Sequence, residues 1–90
     1  MKIPKQFTLG AITWEVVQKD NLLGAYGATY NGKGKVEILK ELPKQIKEQT
    51  FCHELVHAIL FSLGNAQEAH DEKFVDSFAT MLHQYLNTAK

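Results

Sequence analysis

Ninety residues carry ten acidic and ten basic side chains, a formal net charge of zero, and every basic side chain is a lysine. The lack of arginine removes the usual bidentate reader of guanine and phosphate, and no basic stripe compensates, so nucleic acid is not an expected partner. No apolar run approaches the roughly 18 residues that span a bilayer, no charged, apolar leader opens the chain, and the one cysteine, Cys52, cannot form an intrachain disulfide, so the chain reads as soluble and intracellular.

A chain this short forms one domain, residues 1–90, and buries only about 60–65% of its unfolded surface. In "FTLGAITWEVV" (Phe7 to Val17) Ile12, Trp14 and Val16 alternate with Thr13 and Glu15, the period of a half-buried strand. "KDNLLG" (Lys19 to Gly24) carries turn chemistry. "AYGATY" (Ala25 to Tyr30) predicts a second strand, weakened by Gly27. "NGKG" (Asn31 to Gly34) is a hairpin signal, and "KVEIL" (Lys35 to Leu39) a third strand whose Lys/Glu decoration suits an exposed sheet edge.

After Leu42-Pro43 the period changes. Pro43 suits the first turn of a helix, no turn residue interrupts Ile46 to Leu63, and Gly64-Asn65 supplies a stop. A polar connection, "AQEAHDE", leads to a second helix from about Asp71 to Leu86, with Phe74, Val75, Phe78, Ala79, Leu82, Tyr85 and Leu86 at helical spacing. The expected fold is α+β: a small antiparallel three-stranded sheet followed by two helices.

The first helix contains "HELVH", His53 to His57. Residues i and i+4 share a helix face, so both imidazoles can meet one ion. Glu54 is turned about 100° from His53 and can reach a water on that ion rather than the ion itself. A metal acidifies such a water, and the glutamate takes its proton as general base while the water attacks a carbonyl. By chance H-E-x-x-H would appear in a chain of this composition roughly 1% of the time. Phe51, Leu55, Val56, Ala58, Ile59, Leu60, Phe61 and Leu63 make the helix apolar nearly all round, hence buried, and buried ionisable groups need a partner. Solvent-exposed histidines on an ordinary helix fit this setting poorly, and a metal site, with Zn2+ as the ion suited to its ligands, fits it well.

Catalytic zinc usually takes three protein ligands. Candidates are Glu68, His70, Asp71, Glu72 and Asp76. On a helical projection with Glu72 at zero, Asp76 and His83 fall within about 40° of it, bordering the apolar face. Glu72 could therefore look across to the first helix, and Asp76 could accept the other ring N–H of a ligand histidine. His70, just before that helix, is an equally good zinc ligand chemically, or else a solvated loop residue. His83 lies more than two turns past Glu72, too far for a ligand, and Glu68 and Asp71 suit a helix N-terminus.

"FCHELVHAILF…DEKFVDSFATMLHQYL" resembles the small phage and prophage zincin-like metallopeptidases of the gluzincin type, related to the ImmA/IrrE group. That resemblance covers about the C-terminal 45 residues and implies that "EKFVD" supplies the third ligand, Glu72, and an orienting aspartate, Asp76. The gap from His57 to Glu72 is shorter than in the large gluzincins. "HELVHAILF…AHDEKF" is also similar to the SprT-like proteases, in which a histidine before a Phe-containing helix is the third ligand; this nominates His70. That group usually carries DNA-binding or zinc-ribbon parts, which are not visible in these residues. Glu72 is favoured. A phage-type origin implies a bacterial cytoplasm. Zincins commonly bind an extended peptide along an edge strand, which would here be "KVEIL", although a merely protected edge explains it equally well.

Cys52 reads as a buried structural thiol, Trp14 and the Tyr26/Tyr30 pair as packing, and Gly32 and Gly34 as a turn. The expected function is a zinc metalloendopeptidase that hydrolyses peptide bonds in a peptide or protein substrate. The alternatives are a catalytically silent metal-binding regulatory or interaction protein of a phage or mobile element, and a SprT-like protease. Oligomeric state, substrate and biological role have no signature in the sequence.

Overall fold

A computed structural model describes residues 1–90. The strands are β1 (Gln6–Leu9), β2 (Ile12–Lys19), β3 (Gly27–Tyr30) and β4 (Lys35–Leu39), and the helices are α1 (Lys44–Ser62), the single turn α2 (Ala66–Ala69) and α3 (Glu72–Thr88). The α+β class and the order of strands before helices match expectation. The sheet does not: it has four strands in the order β1-β2-β4-β3, and β2 pairs with β4 in parallel.

Two physical reasons account for the difference. The alternating run from Phe7 to Val17 is broken at Gly10, whose φ of +59° turns the chain and makes β1 and β2 a hairpin with Leu9 opposite Ile12. Glycine adopts that backbone at no steric cost. The second reason is "KVEIL", which is an interior strand and not the expected edge. β4 pairs with β2 on one side and β3 on the other, leaving β1 and β3 as the edges. Its charged residues serve the sheet itself, since the Glu37 carboxylate lies 3.7 Å from Lys19 Nζ and 3.4 Å from Lys35 Nζ. The third correction is α2, a single turn within the stretch expected to be a connection. Asn31 to Lys33 forms one 3-10 turn closed by Gly34 at φ +58°.

α1 is covered on two sides. Phe51 and Ala58 pack on the sheet with Trp14, Val36 and Ile38, and Phe7 stacks parallel to Trp14 at 6.1 Å. Cys52 and Val56 pack on Val75 and Ala79 of α3. A helix buried on two faces needs apolar residues nearly all round, which is why its sequence shows so little amphipathic contrast. α3 is covered on one side only: Phe74, Phe78, Met81 and Tyr85 remain exposed. No helix is long and apolar enough to cross a membrane.

Burial pushes the Cys52 thiol up to about 11, so the thiolate is scarce at neutral pH. Ellman's reagent is expected to leave Cys52 unmodified in the folded protein and to label it rapidly in urea. Fast labelling of the native chain would contradict the packing of α1 on α3.

Candidate metal centre

The third face of α1 carries His53 and His57, each half-buried, with ring centroids 4.9 Å apart. Opposite them begins α3. Its first residue is fixed by Asp71, whose side chain accepts a hydrogen bond from the backbone N–H of Phe74 at 3.1 Å, an N-cap that satisfies one of the helix's free donors. Capping at 71 places Glu72 in the first turn, and small Ala79 lets α3 approach α1 closely.

The Glu72 carboxylate spans both histidines, with Oε2 3.0 Å from His53 Nε2 and Oε1 3.1 Å from His57 Nε2. His53, His57 and Glu72 each offer one donor atom, all within 4.8 Å of one another. Two imidazoles and a carboxylate that converge in this way are a fitting donor set for a divalent ion. Asp76 Oδ1 lies 3.5 Å from His53 Nδ1, within charge-pairing reach but long for a hydrogen bond. His70 caps the C-terminal end of α2 and sets its ring edge-on to Phe61 at 5.9 Å. It lines a hollow of about 200 Å³ with Thr29, Asn31, Glu54 and His57. His83 is held elsewhere, with Nε2 3.0 Å from the buried Glu48 carboxylate, and that contact holds Glu48 below the usual carboxylate range.

Glu54 is 8% exposed and stands outside the donor cluster. Thr29 donates its hydroxyl to Glu54 Oε1 at 2.6 Å. Burial raises the Glu54 carboxyl above its ordinary value; the Thr29 hydrogen bond and the two histidines oppose the rise, and Glu72 adds to it. Glu54 lines both the small hollow and a larger groove of about 590 Å³ that holds Tyr26, Gly27, Ile46, Gln49, Asp76 and His83. Three residues of this site escaped the sequence. Gly27 looked like a weak point in a strand, Tyr26 like packing, and Thr29 had no signal beyond its place two residues after Gly27, on the same strand face.

The model of the SprT-like family matches residues 7–89, nearly the whole chain, and the protein belongs to that family. This fits a metal-dependent, protease-like class. Of the two resemblances in the sequence, the match supports the SprT-like one and leaves the phage gluzincin one without support. No curated protein and no solved structure matches the chain.

The raised carboxyl of Glu54 has a consequence for folding. A carboxylate held above its unfolded value adds stability on acidification, fully present below that ordinary value and lost as pH rises through the folded one. In metal-free protein, Glu54→Gln is therefore expected to melt higher than wild type at neutral pH, with the difference vanishing in acid. Parallel melting curves across that range would remove the desolvation account.

Proposed function

We propose that the protein is a zinc-dependent metalloendopeptidase. The single observation that carries this is the division of labour on α1: His53 and His57 converge with Glu72 on one point, while Glu54 sits beside that point, buried and outside the donor set. Zinc suits two imidazoles and a carboxylate, and when bound it polarises a scissile carbonyl and acidifies the attacking water. Glu54 takes the proton from that water and passes it to the leaving amine. A carboxyl raised by burial is the better proton carrier near neutral pH.

Glu72 is our third ligand, because its carboxylate already reaches both histidines whereas the His70 ring packs on Phe61. Asp76 steadies the His53 ring through Nδ1. The SprT-like resemblance nominates His70 instead, and the small hollow keeps that residue beside His57 and Glu54. The substrate is an extended peptide lying along β3, the edge strand beside α1, where unpaired backbone groups can take an added strand.

The test is zinc content and proteolysis of casein and a mixed peptide library, for wild type and Glu54→Gln. The variant is expected to hold about one zinc per chain and to lose all cleavage. If wild type cleaves neither substrate, the peptidase proposal fails, and retained zinc would leave a structural clamp. For the ligand set, Glu72→Ala is expected to release zinc and His70→Ala to keep it. The reverse result would assign the third position to His70.

A further inference from the structure

We propose that β3 positions the general base: Gly27 by its missing side chain and Thr29 by its hydroxyl. The inference rests on the peptidase reading, since it assigns these residues to Glu54's role. Both face α1, two residues apart on one side of the strand. Thr29 Oγ1 lies 2.6 Å from Glu54 Oε1 and 3.1 Å from the Glu54 carbonyl oxygen. Its single proton goes to the nearer carboxylate oxygen, so Thr29 ties the Glu54 side chain to the sheet edge. A hydroxyl hydrogen bond to a carboxylate is charge-assisted, short and directional, so it fixes the carboxylate's rotation as well as its location.

Gly27 acts through space. A Cβ built there would stand 2.8 Å from Thr50 Cγ2, 3.0 Å from Glu54 Cγ and 3.1 Å from Glu54 Oε2. The backbone at Gly27 is ordinary strand paired with Ile38, so alanine meets no conformational obstacle. The clash is purely steric and falls on the Glu54 side chain and its neighbour one turn earlier, Thr50, which is itself buried. With a Cβ at 27, Thr50 Cγ2 has to shift and the Glu54 side chain has to give by a few tenths of an ångström against the Thr29 hydrogen bond. The two residues therefore act as a tether at Oε1 and a stop beside Oε2 of one carboxylate. They are positioning residues, and neither belongs to the donor cluster.

Three variants test this: Gly27→Ala, Thr29→Val, which keeps the shape without the hydroxyl, and Thr29→Ser, which keeps the hydroxyl. Each is expected to bind zinc like wild type, because the donors are untouched. Thr29→Val is expected to lower kcat about 10–100-fold with KM little changed, and Thr29→Ser to recover most of that loss. Gly27→Ala is expected to lower kcat about 10-fold, less than the roughly 100-fold of a full ångström's misplacement, because Glu54 is displaced by only tenths of an ångström. A crystal structure of Gly27→Ala reads the same displacement without turnover and is expected to show the Glu54 carboxylate shifted and its hydrogen bond to Thr29 lengthened. Wild-type activity retained in Thr29→Val, or an unmoved Glu54 in Gly27→Ala, would overturn the proposal. Inactive wild type with a displaced Glu54 in Gly27→Ala would instead sink the peptidase reading and leave the geometry standing.

Discussion

Packing of α1 between the sheet and α3 is the constraint on which everything else in this domain depends. Phe51 and Ala58 anchor one side, Cys52 and Val56 the other. Once those faces are committed, the helix can turn only one remaining face toward open space, and that face carries His53 and His57. Their half-buried rings are held by neighbours on both flanks, so little side-chain freedom is left to lose when an ion binds. A small domain gains twice from this arrangement. The same contacts that stabilise the fold pre-set the donor atoms.

The third donor is where family and geometry pull apart. The resemblance of "AHDEKF" to SprT-like sequences nominates His70, while the donor atoms that lie together are those of His53, His57 and Glu72. The two residues flank Asp71, the cap of α3, whose hydrogen bond from the Phe74 N–H puts Glu72 in the first turn, beside the histidines. A capping residue thereby gains a say in the chemistry of the site.

The sequence carried local information well and pairing information poorly. H-E-x-x-H was legible because i, i+4 spacing on a helix is a local property, and Gly64 marked the end of α1 for the same reason. The sheet order was not legible. Lys35 to Leu39 has the same composition whether it lies at an edge or in the middle, and only the return of the chain past β2 makes it central. The hairpin at Gly10 was hidden because strand alternation continues on both sides of it. Gly27 showed only as an interruption of its strand and Thr29 not at all, since a close approach between a strand and a helix leaves no periodicity in either.

The parallel pairing of β2 with β4 also sets an order of assembly. β3 and β4 are joined by four residues and can zip as soon as the turn at Asn31 forms, and β1 and β2 likewise close locally at Gly10. Glu15, by contrast, meets Lys35 across twenty positions of chain, a closure that costs more entropy before any contact rewards it. The two hairpins are thus the local units of the sheet, and their union closes its longest loop. Because Glu54 is hydrogen-bonded to β3, and His53, His57 and Glu72 stand on α1 and α3, the candidate site is complete only when sheet and helices have come together. A partly folded chain therefore holds the donor residues in sequence without holding them together in space.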